Sequence, residues 1–455
     1  MKINPSIFKA YDIRGIYPDD LNKDTAYKLG VAFANLVSEE IGKEKITLTV
    51  GGDMRLSTPE LKKSLIKGIT EAGASVVDIG LVSTPTFYFG VSHLNTDGGI
   101  IVSASHNPKE WNGFKLTRDK AKPVSFETGI RELKKRIEKD KLSLSNTKGE
   151  VKTNSEILKA QIEHDFKFFN LDKINSFKVA VDPANGMGAQ YMEVMFKNLP
   201  IRSVKMNFDI DGTFPSHEAD PIKKENLVDL KKKVVEESCD LGIAIDGDGD
   251  RVFFIDDKGE AIDQSIIRGI LAKLFLEEKP GSKICYDIRP GRITRDLIEE
   301  NGGVPIVTPV GHSLIKAKTL EEGAYFAGES SGHFFLNMEA GCFEVPVIII
   351  GKLLEEFSRA GEKVSEYIKP YQKYYHSGEI NSEVEDKEKV FQKLEKKYND
   401  GKINKLDGVT VEFPDFWFNV RGSNTEEKVR LNLEARDEKT MKEKRDEILK
   451  IILNA

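Results

Sequence analysis

Short apolar runs that break into loops rich in glycine and aspartate recur along the chain, and they fall into three similar segments. Each segment opens with a strand-like run, an aspartate at its turn and a stretch suited to a helix. Ile46 to Val50 leads to Asp53, Phe177 to Val181 leads to Asp182, and Ile284 to Tyr286 leads to Asp287. In the first segment Thr58 is placed as the helix N-cap and Pro59 suits the first turn. Leu61, Leu65 and Ile69 repeat at helical spacing, and Gly73 closes the helix. Further along each segment a second apolar strand ends in a chemically unusual loop. These loops are the one at Ser105, the run Asp246 to Arg251, and Gly328-Glu329-Ser330-Ser331-Gly332-His333. Open α/β sheets place ligands beyond the carboxyl ends of their strands, so three such units can aim three loops into one cleft. Independent domains would give the same pattern.

After about residue 362 the order of elements changes. A helix near Lys387 to Tyr398 precedes strands at Val409 to Phe413 and Phe416 to Val420. Alternating Val429, Leu431, Leu433 and Ala435 predict another strand, and Met441, Ile448, Leu449 and Ile452 an amphipathic closing helix. The pattern predicts an α/β protein: three similar α/β domains with mixed sheets plus a smaller α+β C-terminal domain, around a central cleft. The expected limits are residues 1–150, 151–254, 255–362 and 363–455.

With 455 residues, three or four domains have room for ample cores. The net charge of −6 gives no support to nucleic-acid binding, although local cations can still hold a small anionic ligand. Cys239, Cys285 and Cys342 stand singly in apolar surroundings, without metal or redox spacing, as buried thiols do in a reducing compartment such as the cytoplasm. Met1 to Ala10 lacks the apolar region of a signal peptide. The longest apolar run, Val345 to Ile350, is far shorter than the roughly 20 residues of a membrane span, so no membrane partner is expected. Oligomeric state cannot be read from these residues.

Asp246-Gly247-Asp248-Gly249-Asp250-Arg251 places three carboxylates at alternate positions, with a cation directly after them. Carboxylate oxygens suit a hard divalent metal, and the glycines let the backbone fold tightly enough for the side chains to converge. An EF-hand needs glycine at loop position six and glutamate at twelve, where this chain has Arg251 and Asp257, and the flanks are strands. An apolar strand ending in Asp-x-Asp also resembles haloacid-dehalogenase phosphatases, with Asp246 as nucleophile, although Asp250 replaces their Thr or Val. A plain polar turn would gain nothing from three crowded carboxylates.

Ser105-His106-Asn107-Pro108 ends a buried-type strand, and Trp111 to Lys115 brings a cation back near the serine. No Gly-x-Ser-x-Gly elbow supports a hydrolase triad. Glu329 and Ser331 can hold sugar hydroxyls beside the titratable His333, although a glycine-bounded turn explains them equally well. Gly311-His312-Ser313 follows the strand at Pro305 to Val307. Arg421-Gly422-Ser423-Asn424-Thr425-Glu426 offers a guanidinium, hydroxyls and an amide for a phosphate, or serves as an ordinary hairpin turn.

Together these motifs, with Phe8-Lys9-Ala10-Tyr11-Asp12-Ile13-Arg14-Gly15, resemble the α-D-phosphohexomutase family (phosphomannomutase/phosphoglucomutase) over essentially the whole chain. The resemblance implies a mutase interconverting hexose 1-phosphate and hexose 6-phosphate, of glucose and/or mannose, through a phosphoserine enzyme and a hexose 1,6-bisphosphate intermediate. It implies that Ser105 carries the phosphoryl group and that Ser105, Asp246, Asp248 and Asp250 bind Mg²⁺. Glu329 and Ser331 would grip the sugar, with His312 and His333 near it, and Arg421, Ser423, Asn424 and Thr425 would bind the non-reacting phosphate. Tyr11 and Arg14 are candidates close to the serine, and His106 and Arg251 are cations for the phosphate. Lys115 is expected to act as general acid or base, with its pKa lowered by neighbouring cations. Ser103-Ala104-Ser105 also looks like the loop of phosphoglucosamine mutases, which keeps a glucosamine substrate open. Arg289 stands where bacterial bifunctional members carry lysine. Outside this class, the alternatives are an Asp246-based phosphatase or a non-catalytic sugar-phosphate-binding protein.

Overall fold

The structure is a computed structural model that describes residues 3–289, 291–422 and 428–454. The chain divides into two compact units, one formed by Met1–Ile262 with Ser331–Ser365 and the other by Asp263–Ser330 with Glu366–Ala455.

In the first unit a sheet has the strand order Ile13–Ile16, Trp111–Arg118, Gly98–Val102, Thr47–Gly52, Ser75–Leu81, Val151–Thr153. Its centre is parallel, with Val50 opposite Ile100, whereas Trp111–Arg118 runs antiparallel to both neighbours. The mixed pattern arises because the chain doubles back after the serine loop. Helices Lys23–Ile41 and Thr58–Glu71 cover this sheet, burying Leu29, Phe33, Leu61, Leu65 and Ile69. They approach at glycines: a Cβ on Gly30 would lie 2.4 Å from the Leu65 carbonyl oxygen, and one on Gly68 would lie 2.1 Å from that of Tyr27. Thr58 proves to be the first helical residue rather than the N-cap. Its hydroxyl donates to Asp53 Oδ1 at 2.8 Å, and Ser57 occupies the cap position without a side-chain capping bond.

A second sheet of the same unit has the order Val252–Ile255, Leu241–Ile245, Phe177–Asp182, Ile201–Lys205. Leu241–Ile245 is parallel to Phe177–Asp182 and antiparallel to Val252–Ile255, so residues 246–251 form the loop of a β-hairpin. The hairpin Phe334–Met338 and Gly341–Glu344 precedes helix Pro346–Ala360, which contains most of the longest apolar run.

In the second unit Lys283–Asp287 lies parallel to both Val304–Thr308 and Phe326–Gly328. Helices Gln264–Glu278, Arg292–Glu300 and His312–Glu322 accompany these strands. The C-terminal part is a sheet in which Lys428–Ala435 pairs antiparallel with Phe416–Gly422 and with Ile380–Glu383. Helices Lys387–Lys397 and Glu438–Leu453 bury Val390, Leu394, Ile448 and Ile452 against it.

The threefold repeat has a structural meaning. In each case the strand ending in the turn aspartate is the parallel neighbour of the strand that ends in the chemical loop. Both loops of a pair therefore emerge at one carboxyl edge. Asp53, Asp182 and Asp287 are all buried. Asp53 and Asp182 each accept the backbone N–H two residues on, which tightens the turn into the helix. Three α/β segments with mixed strand directions and a separate C-terminal α+β sheet are the architecture expected from the apolar pattern.

Candidate active site

Two strands of the first unit deliver the serine and the acidic loop to one buried place. Ser105 Oγ lies 3.4 Å from Asp246 Oδ2, and the Ser105 side chain also meets His106 Nδ1 at 3.1 Å. Ser105 has a backbone φ of +53°, a left-handed conformation that costs a non-glycine residue energy unless its surroundings enforce it. Arg55 supplies the enforcement. Its guanidinium donates to the carbonyls of Ser105 at 2.8 Å, Pro108 at 2.7 Å and Trp111 at 2.9 Å, and to that of Asn107. Arg55 is 1% exposed and pairs with Asp53 at 3.3 Å. No motif marks Arg55 in the sequence, although Asp53-x-Arg55 has a twin in Asp287-x-Arg289.

The carboxylates of Asp246, Asp248 and Asp250 are buried, with ligand atoms all within 4.8 Å of one another. Asp246 Oδ1 accepts the backbone N–H groups of Asp250 at 3.0 Å and Arg251 at 3.1 Å. Thr84, at the start of helix Thr84–His93, donates its hydroxyl to Asp248 Oδ2 at 2.6 Å and its N–H to the Asp248 carbonyl at 2.9 Å. Among the described residues, Asp248 Oδ1 is buried without a hydrogen-bond partner. A buried carboxylate oxygen left unmet costs about 1–3 kcal/mol or more. Three converging hard oxygen donors, one of them unmet, fit a divalent cation, with the Ser105 hydroxyl in reach as a further oxygen ligand.

Burial and the two neighbouring carboxylates push the Asp246 pKa well above the ordinary range. Burial acts in the same direction on Asp250, but Lys115 and His333 outweigh it and hold that group well below. His333 Nε2 faces Asp250 Oδ1 at 3.1 Å, and its Nδ1 meets Ser331 Oγ at 2.9 Å. Burial, with Arg251 and Arg14, lowers the His106 pKa well below 6.5.

Lys115 corrects the sequence expectation. Its ammonium lies 2.5 Å from Asp248 Oδ2 and 2.8 Å from Asp250 Oδ2, side chains 95% or more buried on both sides. Burial alone lowers its pKa, but Asp248 and Asp250 reverse the balance and raise it well above 10.5. The cations expected to lower it are outweighed by the aspartates themselves. Arg14 is tied to Asp12 at 2.6 Å and to Asn107 Oδ1, and so braces the serine loop. Arg251 bridges Asp246 at 3.7 Å and Asp220 at 3.5 Å. Tyr11 is half-buried just ahead of strand Ile13–Ile16.

In the second unit Glu329 Oε1 accepts the Gly311 N–H at 2.9 Å and lies 3.3 Å from Arg289. His312 is the first residue of helix His312–Glu322. Arg289 and Arg268 both pair with Asp287, which also accepts from Ser330 Oγ at 2.8 Å. Arg421 pairs with Glu379 at 2.7 Å, and its Nε is buried without an acceptor among the described residues. Ser423, Asn424 and Thr425 lie outside the described residues.

Comparison with known proteins gives this arrangement a context. Four domain families match in order: "Phosphoglucomutase/phosphomannomutase, alpha/beta/alpha domain I" over residues 5–143, domain II over 158–259, domain III over 263–374 and the C-terminal domain over 379–451. A phosphomannomutase of Methanocaldococcus jannaschii is 40% identical over 98% of this chain and 97% of its own length. A phosphomannomutase of Escherichia coli is 35% identical over 98% of each. The crystal structure of a phosphoglucomutase/phosphomannomutase family protein from Burkholderia thailandensis superposes with a TM-score of 0.90, at 32% identity, over 99% of this chain and 97% of that one.

Fold, site and relatives define a phosphohexomutase, an isomerase of hexose phosphates. The chain belongs to the phosphoglucomutase/phosphomannomutase family, as the motif resemblance implied. Nothing in these matches favours a dehalogenase-type phosphatase or a non-catalytic binding protein. Among the described residues no helix is long and apolar enough to cross a membrane, and Cys239, Cys285 and Cys342 are buried cysteines outside any disulfide.

Proposed function

We propose that the protein interconverts the 1- and 6-phosphates of glucose and/or mannose through a phosphoserine at position 105 and a hexose 1,6-bisphosphate. The observation that carries this reading is the 3.4 Å approach of Ser105 Oγ to Asp246 within the buried aspartate trio. In the first half-reaction the bond from Ser105 Oγ to phosphorus breaks as a sugar hydroxyl oxygen bonds to phosphorus. The hydroxyl loses its proton, and Ser105 Oγ recovers one. The bisphosphate then reverses end for end and returns its other phosphoryl group to Ser105.

Asp246, Asp248 and Asp250, with Ser105, would hold Mg²⁺, which when bound neutralises charge on the transferring oxygens. The chain's own residues align the serine. Arg55 and Arg14 fix the loop backbone, and a phosphate of about −1.5 to −2 charges beside carboxylates makes Arg251 and Lys115 necessary neighbours. His106, held neutral by burial, accepts or donates a hydrogen bond at Ser105 Oγ. With Lys115 fixed in its ion pairs, His106 is the better candidate for moving that proton. Glu329 and Ser331 take the sugar hydroxyls, with His312, His333 and Tyr11 as further contacts. Arg421 with Ser423, Asn424 and Thr425 holds the phosphate that does not react. The buried thiols accord with a cytoplasmic enzyme, and four domains divided near residues 150, 254 and 362 accord with the strand repeat.

Ser105→Ala tests this directly. Turnover of glucose 1-phosphate and mannose 1-phosphate, with catalytic bisphosphate added, should fall to background. Hexose-phosphate binding should persist, and the acid-stable phosphate on peptide 105 should disappear from the mass spectrum. Retained turnover rejects the serine mechanism.

A further inference from the structure

The Arg421 side chain sits in an arrangement that the family motif does not describe. Arg421 and Arg430 are directly opposite each other on antiparallel strands, Phe416–Gly422 and Lys428–Ala435. Like charges at such a position repel. Glu379 stands between them: its Oε2 accepts from Arg421 Nη2 at 2.7 Å and from Asn432 Nδ2 at 3.3 Å, and its Oε1 from Arg430 Nη1 at 3.4 Å. Two guanidinium groups and an amide converge on one carboxylate. That is the donor set a phosphate takes. The Nε atoms of Arg421 and Arg430 are also buried without acceptors among the described residues, so a carboxylate with two oxygens leaves donors unmet that a phosphate can use.

We propose that Glu379 is a built-in competitor for the substrate's non-reacting phosphate, occupying the donors of Arg421, Arg430 and Asn432 until a phosphate displaces it. The inference rests on the reading of Arg421 as a phosphate-binding residue. Charge favours the exchange, because a phosphate dianion outweighs a single carboxylate opposite two arginines. The backbone on both sides is pinned: Ser377 N–H donates to the Leu433 carbonyl at 2.9 Å, and Ile380 pairs with Leu431. The exchange is therefore a swing of the Glu379 side chain, which is 28% exposed and has room to leave. Without phosphate, Glu379 prevents the arginine pair from standing uncompensated. With phosphate bound, it weakens retention, which helps an intermediate that must let go and turn round. Glu379 is a positioning residue and forms no bond to the reacting atoms.

The test is Glu379→Gln, which keeps size and one acceptor oxygen but removes the charge. Calorimetry with inorganic phosphate should show binding about three- to tenfold tighter than wild type, the scale of one charge near a partly exposed dianion. KM for the hexose phosphate should fall with it, while kcat stays level or declines as release slows. Glu379→Asp, one methylene shorter and drawn back from Arg421, should shift in the same direction and serves if the glutamine variant does not fold. Unchanged or weaker phosphate binding in both variants overturns the proposal and leaves Glu379 a simple brace. Arg421→Ala separates the underlying reading: it should weaken phosphate binding severalfold, and unchanged affinity there removes the clamp itself, whatever Glu379 does.

Discussion

Lys115 Nζ and Asp248 Oδ2 lie 2.5 Å apart in a buried ion pair that joins the strand following the serine loop to the acidic loop, 133 positions away. The same ammonium contacts Asp250, so one lysine compensates two carboxylates that have no solvent to screen them. Lys115→Met should remove the shared ammonium, leaving the Thr84 hydroxyl on Asp248 and His333 beside Asp250, and destabilise the metal-free protein by about 3–5 kcal/mol, the usual cost of breaking a buried pair from one side. Mg²⁺ should then raise the melting temperature of the variant more than that of wild type, because the ion meets carboxylates lacking their lysine. Equal Mg²⁺-induced shifts in the two proteins would show that the trio does not receive the ion.

The helix pair over the first sheet gives a prediction independent of chemistry. Gly68 faces the Tyr27 carbonyl so closely that an added Cβ would stand 2.1 Å from its oxygen, and the contact is backbone that cannot rotate away. Gly68→Ala ought to gain in helix propensity and lose more by forcing helices Lys23–Ile41 and Thr58–Glu71 apart. The net loss should reach at least the roughly 1–3 kcal/mol of ordinary overpacking, read as a lowered denaturation midpoint in urea. A mid-helix glycine placed only by chance would give a variant as stable as wild type or more so.

The apolar pattern made the repeat legible because strands buried on both faces, such as Leu241–Ile245, are continuous in sequence and end sharply at the loops they carry. The acidic trio was legible for the same reason: all three carboxylates lie on one hairpin loop. Arg55 and Glu379 were not. Arg55 acts through backbone carbonyls of residues 105 to 111, to which any residue type contributes equally, and Glu379 has partners 42 to 53 positions away. Lys115 shows the limit in another form. Its nearness to the serine could be read, but the sign of its pKa shift was set by aspartates from a different segment. Thr58 was misplaced by one position, since its hydroxyl answers Asp53 rather than the helix end.

The loop that packs on the serine-bearing region should make the first unit sensitive to pH. His217 Nε2 lies 3.0 Å from Asp182 Oδ2, and its Nδ1 meets the Glu218 carbonyl at 2.9 Å. Asn207 also donates to Asp182, and Phe214 of the same loop lies under the Arg55 guanidinium at 5.2 Å. The hydrogen bond with Asp182 raises the His217 pKa above 6.5 and prevails over burial, which lowers it, and Asp229 adds to the rise. A group whose pKa is raised by folding stabilises the native state fully below its unfolded value and stops doing so as pH climbs through the folded value. The stability lead of wild type over His217→Gln should therefore be greatest below about pH 6.5. It should shrink as pH rises through the raised folded value, and taking the difference between the two proteins removes the contribution of titrating groups that His217 does not touch. Melting curves of both at matched pH values measure it. A lead that is constant with pH, or that grows upward, would mean that the imidazole is neutral in this pair and contributes only packing.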